Sequence, residues 1–124
     1  MGDCSKHFSY HEFGCKCGKA CGLADGKRTD PSLLLVLEMI RSAIGRPVTV
    51  TSGNRCPTWN KKVSGSEKSY HLEAQGCKAA DLLITLSFER AIATKVALEM
   101  GATLGMNESF LHVDVREMSR IFLY

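Results

Sequence analysis

The sequence predicts an α+β domain in which helices pack on a small, mainly antiparallel sheet, all within one 124-residue unit. Two observations carry this. Segments 31–44 and 87–100 repeat apolar residues at helical spacing between recognisable start and stop signals. Short β-branched or apolar runs, at 48–51, 79–84, 102–104, 110–115 and 121–124, read as strands separated by turn residues.

In chain order, residues 1–29 form a Cys-, Gly- and Lys-rich arm without a sustained period. One helical turn is expected from Ser9, because Ser9 and Glu12 have capping-box spacing, and Phe8 and Phe13 would anchor the arm. Asp30 then suits an N-cap, Pro31 the first helical position and Gly45 the stop. Leu33, Leu37, Ile40 and Ile44 trace the apolar stripe, with Glu38 and Arg41 expected on or near the solvent side. Val48–Thr51 alternates as a strand and runs into the turn-rich Ser52–Pro57, which carries Arg55. Trp59, Asn60 and Val63 begin a short helix or turn, and 64–68 is a flexible approach to Ser69. Ala79–Ile84 reads as a central strand. Ser87 is the expected N-cap of the second helix, with Glu89 in its first turn and Gly101 as stop. The remaining strands are joined by turns at Gly105-Met106-Asn107 and Glu117-Met118-Ser119.

Composition narrows the function classes. The formal charge of +3 is mild, and the basic residues are scattered without aromatic interleaving, so nucleic-acid binding is not expected. Mean hydropathy is −0.07, and no apolar run approaches the roughly 20 residues that span a bilayer, so membrane insertion is not expected either. Residues 1–7 lack an apolar signal region, so an ordinary secretory signal is not expected. Six cysteines without such a signal favour thiols or a metal site over disulfides. Cys15, Cys17 and Cys21 are candidate ligands of a second, structural metal, with Cys4, His7 or His11 as the fourth.

The chemistry concentrates in two stretches, Ser69–Asp81 and Phe110–Arg116. Each sets a histidine and a carboxylate in or beside a strand-like run. Three such groups meeting in space with one open position would make a catalytic zinc site. An aspartate inside the 79–84 run needs a partner if buried, whether a cation, a donor or a metal. Arg55, at the end of a strand, could be aimed at a carboxylate.

Four segments in order, HFSYHEF at 7–13, GRPVTVTSGNRCPTWN at 45–60, SYHL…AAD at 69–81 and FLHVDVR at 110–116, resemble the zinc D-Ala-D-Ala carboxypeptidase family. That family includes peptidoglycan endopeptidases and phage endolysins, and the chain resembles its small single-domain members. The resemblance implies a Hedgehog/DD-peptidase-like fold carrying one Zn2+. It implies His71, Asp81 and His112 as zinc ligands, and Arg55 and Ser69 as groups that hold the substrate peptide.

Two departures stand out. From His71 to Asp81 is ten residues, where the family usually has seven, and the extra residues bring Cys77 beside the site. The carboxylate that many members carry three residues before the last histidine is Ser109 here, which leaves Glu108 and Asp114 as candidate general bases.

The expected function is zinc-dependent hydrolysis of an amide bond in a peptidoglycan stem or cross-link peptide, by a monomer made in the cytoplasm and acting on the cell wall. Two alternatives stay open: a catalytically impaired wall-peptide binding module, and a virion structural component stabilised by cysteine-bound zinc.

Overall fold

The computed structural model describes residues 2–117 and 121–123. Three helices, α1 (Pro31–Ile44), α2 (Pro57–Lys62) and α3 (Ser87–Glu99), accompany five strands: β1 (Val50–Ser52), β2 (Ala79–Leu82), β3 (Thr103–Met106), β4 (Leu111–Asp114) and β5 (Ile121–Leu123). The sheet order is β1-β2-β4-β3-β5, antiparallel except for the β3–β5 pair.

Alternation along the central strands separates two faces. On one, Ala80 and Leu82 of β2, Leu104 of β3 and Leu111 and Val113 of β4 join Leu33, Leu37 and Ile40 of α1 and Ala93 and Ala97 of α3 in a buried core. On the other, Asp81 lies directly opposite His112, and Ala79 opposite Asp114. A one-residue slip would turn all three polar groups into the core, so the apolar face fixes the register of the polar one.

The ends of α1 match the sequence signals. Asp30 accepts from the Ser32 N–H at 2.7 Å, and Gly45 closes the helix at φ +80 with its N–H on the Arg41 carbonyl. For α3 the N-cap is Leu86 and Ser87 is already helical, so the expected Ser87 cap is displaced by one residue. Glu89 is pinned by the Arg46 guanidinium through both its oxygens. Gly105 and Met106, expected in a turn, belong to β3, and the reversal falls on Asn107–Phe110. Of the expected Glu117-Met118-Ser119 turn, Met118 and Ser119 lie outside the described residues, as does Tyr124 at the end of the last strand.

The arm is tied down as expected at the 3-10 turn Tyr10–Phe13, where the Glu12 carboxylate accepts from the Ser9 N–H at 2.7 Å. Phe8 and Phe13 are buried with ring centroids 6.0 Å apart. Glu38 corrects the sequence reading. Rather than facing solvent, it accepts from Ser5 Oγ and the His7 N–H, and its other oxygen meets His7 Nδ1 at 2.8 Å. Its covering partner is more than thirty residues away in the chain, which helical periodicity cannot reveal.

Burial pushes the Glu38 carboxyl up, but the His7 and Ser5 hydrogen bonds outweigh that and leave it below its ordinary value of 4.5. A carboxyl depressed by folding contributes stability that is present above the unfolded value and is lost as pH falls through the folded one. Urea unfolding should therefore show Glu38→Gln about 1–2 kcal/mol less stable than wild type near pH 7, a difference that shrinks below about pH 4.5.

Candidate metal centre and substrate cleft

Three buried side chains, His71, Asp81 and His112, bring one ligand atom each to within 4.8 Å of one another. Asp81 comes from β2 and His112 from the adjacent β4, paired across the sheet. His71 arrives from the loop before β2. There the residues that lengthen the interval to Asp81 wind into a 3-10 turn, Glu73–Gln75, ended by Gly76 at φ +95. The Cys77 N–H then bonds the Leu72 carbonyl and the Lys78 N–H the Tyr70 carbonyl, closing the excursion and returning the chain to β2. The insertion thus leaves His71 and Asp81 together. Cys77 is buried, burial lifts its thiol to about 11, and it belongs to neither ligand cluster.

The Gly53 carbonyl selects the tautomer of His71, and for His112 the shorter of two carboxylate contacts orients the ring. His71 Nδ1 lies 2.6 Å from the Gly53 carbonyl, which can only accept, so Nδ1 carries the proton and Nε2 presents its lone pair. That Nε2 sits 3.2 Å from Asp81 Oδ1. His112 Nε2 lies 2.7 Å from Asp114 Oδ2, and its Nδ1 lies 3.0 Å from the same Asp81 oxygen. With Nε2 donating to Asp114, a neutral His112 also points a lone pair at Asp81. Two nitrogen lone pairs and a carboxylate oxygen then converge, an arrangement satisfied by a cation between them.

The electrostatics fit this. Burial holds His71 below its ordinary basicity, in the neutral form a metal requires. Burial works against the Asp81 anion, but with a proton in the cation's place, hydrogen bonds from His112 and His71 outweigh it and keep the carboxyl well below the usual range. Burial also opposes protonation of His112, while Asp114 and Asp81 overcome it and raise its basicity. A proton on His112 Nδ1 and a metal ion compete for the same place. The Asp114 carboxylate behind His112, which favours the proton, also makes that imidazole a stronger donor to the metal.

Asp114 is fully buried and doubly engaged. Arg116 Nε donates to its Oδ1 at 2.8 Å, and Arg116 Nη2 and His112 Nε2 both meet its Oδ2. Burial would raise its carboxyl, but these partners draw it down to about 2. Glu108 occupies the exposed tip of the β3–β4 turn, whose Asn107 and Phe110 carbonyls are gripped by the Arg90 guanidinium.

A cleft of about 650 Å³ opens over His112, lined in part by Arg55, Lys68, Ser69, Tyr70, Arg116 and Phe122. Neither Glu108 nor Asp114 lines it, and among the described lining residues none is a carboxylate. Arg55 is buried and braced three ways, by Asp81 Oδ2 at 3.2 Å, Asn60 Oδ1 at 3.2 Å and Ser52 Oγ at 3.1 Å. Ser69 Oγ accepts from the His71 N–H at 3.2 Å while lining the cleft. Sequence reasoning missed Tyr70, Arg116 and Phe122. Arg116 stacks 4.5 Å over Tyr70 and 5.4 Å over Phe122, and Phe122 lies 5.5 Å from His112. The signal available was alternation, since Asp114 shares a face with His112 and an arginine follows two positions on.

A second cluster gathers Cys15, Cys17, Cys21 and Cys56. The three arm cysteines meet as expected, but the expected fourth partners do not join them. Cys4 Sγ donates to the Phe8 carbonyl, His7 is taken by Glu38, and His11 is outside the cluster.

Two imidazoles and one carboxylate on a sheet floor, below a cleft, are the donor set of a mononuclear zinc hydrolase. Comparison with known families agrees with the geometry: the chain belongs to the Peptidase M15 family, that of the zinc D-Ala-D-Ala carboxypeptidases, which it matches over residues 6–114. No curated protein matches the chain. Its family makes it a metallopeptidase, and M15 peptidases are zinc-dependent.

Asp114→Asn tests the brace behind His112. Because an amide cannot carry the same charge, zinc affinity measured against a competing chelator should fall roughly 10–100-fold with the fold intact. Gly53→Ala should disturb the centre from the other side, since an added Cβ would lie 2.6 Å from the Phe13 backbone and displace the carbonyl that orients His71. The expected result is weaker zinc binding by the same assay.

Proposed function

We propose that the chain is a zinc peptidase of peptidoglycan, hydrolysing an amide bond in a stem or cross-link peptide as a D,D-carboxypeptidase or endopeptidase. The observation that carries this is the pairing of a buried two-histidine, one-aspartate centre with a cleft whose charged lining is cationic: Arg55, Lys68 and Arg116. A wall peptide brings free carboxylates to such a cleft.

In this reading His71 Nε2, His112 Nδ1 and Asp81 Oδ1 hold the zinc, with the metal family-implied and the atoms set by the tautomers described above. Zinc bound there would polarise the scissile carbonyl and lower the pKa of an attacking water toward ~7. The Gly53 carbonyl holds the proton on His71 Nδ1, and Asp114 holds the one on His112 Nε2. Arg55 already spends one nitrogen on Asp81, so it links the centre to the cleft and can orient a substrate carboxylate beside it. Ser69 fixes the His71 backbone and offers its hydroxyl to the peptide.

Neither acid of the candidate pair lines the cleft at rest, so the proton acceptor is chosen by its nearness to the centre. Glu108 would reach the cleft only if its turn left Arg90. Asp114 adjoins the centre and reaches a substrate proton only by exchanging its contact with Arg116. We assign Asp114 the role, with His112 positioning as its resting function.

One observation favours a second reading, a wall-peptide binding module without turnover: no carboxylate lines the cleft among the described residues. Muropeptide digestion separates the two. The peptidase reading expects new amine termini from wild type, none from His71→Ala, and turnover within about twofold of wild type from Glu108→Gln, taken as an ordinary surface substitution. Retained peptide affinity with no product from zinc-loaded wild type would select the binding module. The reading also has the enzyme acting at the cell wall, as a phage lysin or an exported bacterial protein, on a substrate that lysis assays on purified walls would reveal.

A further inference from the structure

The cysteine cluster lies outside the site just described and has its own construction. Cys15, Cys17 and Cys21 come from the arm, and Cys56 from the Ser52–Pro57 turn at the start of α2. Their sulfurs all lie within 4.8 Å of one another, and all four cysteines are free rather than paired. Four sulfurs around one zinc at about 2.3 Å stand roughly 3.8 Å apart, which the 4.8 Å limit on their separations accommodates. A disulfide would need a sulfur pair at about 2.05 Å.

Backbone N–H groups already point at these sulfurs. The Cys56 N–H donates to Cys15 Sγ, the Trp59 N–H to Cys56 Sγ and the Lys19 N–H to Cys17 Sγ, each at 3.4 Å. A neutral thiol is a weak acceptor, whereas a thiolate gains from each such donor. The packing gives a second reason. The buried members of this cluster are Cys15, Leu23 and Cys56, with Trp59, Cys17 and Cys21 partly buried around them. Phe8 and Phe13 anchor the first part of the arm in the main core, but beyond Phe13 only this small apolar cluster holds the loop-rich segment, and such segments are commonly stapled.

We propose that Cys15, Cys17, Cys21 and Cys56 form a closed, structural tetrathiolate zinc site that staples the N-terminal arm to the turn carrying Gly53 and Arg55. Each thiol gives its proton to solvent as it binds, and four thiolates around a divalent ion leave a net negative charge. Lys19 and Lys62 line the groove of about 250 Å³ beside Cys17, Cys21 and Cys56, where they offset that charge. Four sulfur ligands leave no position for water, so the site is structural and not a second reaction centre. Its place in the fold gives it a consequence. Asn54 donates its N–H to the Phe13 carbonyl at 2.8 Å, between Gly53, which orients His71, and Arg55, which contacts Asp81. The staple, through Cys15 and Cys56, closes the same junction two residues further on along each segment.

Elemental analysis of the purified full chain, prepared under reducing conditions with zinc, should give two equivalents per chain. The Cys17→Ser/Cys21→Ser variant should lose one and His71→Ala the other. After exchange into cobalt, the wild type and His71→Ala should show an intense near-ultraviolet thiolate-to-metal band, and the double cysteine variant should not. Alkylation of the native wild type should spare these four cysteines until a chelator is added. The cobalt band and the alkylation pattern are read on wild type, so they stand even if the cysteine variant fails to fold. A wild type with no thiolate-to-cobalt band, or with disulfides among the four cysteines under reducing conditions, would overturn the proposal. Loss of the His71-dependent equivalent alone would instead count against the peptidase centre and leave the staple intact.

Discussion

The buried carboxylate of Asp81 is shared by groups from three parts of the chain, and their positions make sense only around it. One oxygen faces His71 Nε2 and His112 Nδ1, while the other takes a hydrogen bond from Arg55. Isolated, such an anion would be expensive to bury. Surrounded by a guanidinium and two imidazoles it is held ionised, and the two imidazoles in turn are aimed by the Gly53 carbonyl and by Asp114. Removing any of these supports leaves a charge or lone pair unsatisfied in a dry interior. The sheet exists in this register because its opposite face is packed on α1 and α3.

Outward from Asp81 the supports run through buried side chains to the cleft. Asp114 backs His112 and is itself backed by Arg116, which lies against Tyr70 and Phe122 at the cleft. Arg55 reaches from the centre to the cleft and is steadied by Asn60 and Ser52. Charge at the substrate surface and charge at the metal-binding surface are therefore mechanically joined through two arginine–aspartate contacts. The proposed anionic peptide substrate rests on this coupling.

How much of this was legible in the sequence depended on distance along the chain. The helix ends at Asp30-Pro31 and Gly45 were readable because caps are local, and the grouping of His71, Asp81 and His112 was readable because strand alternation and motif order are. The ten-residue interval before Asp81 was legible as a departure but not as a 3-10 turn, since the hydrogen bonds that close it are made after the loop folds. Glu38 was misread as solvent-facing for the opposite reason: its pattern is that of an exposed residue, and only the folded arm covers it. Cys56 was invisible as a partner of Cys15 because it is brought there by the Asn54–Phe13 contact. The face that Asp114 shares with His112 was predictable, whereas its engagement by Arg116, which it must exchange to take a proton, was not.

Asp81 Oδ1, His71 Nε2 and His112 Nδ1 are proposed to hold one zinc. Anomalous diffraction from zinc-loaded crystals, collected on either side of the zinc absorption edge, tests it directly. A peak about 2.0–2.2 Å from each of those three atoms is expected, with Asp114 still on His112 Nε2. A peak bound through His112 Nε2, or zinc confined to the cysteine cluster with the His71–Asp81–His112 centre empty, would contradict it.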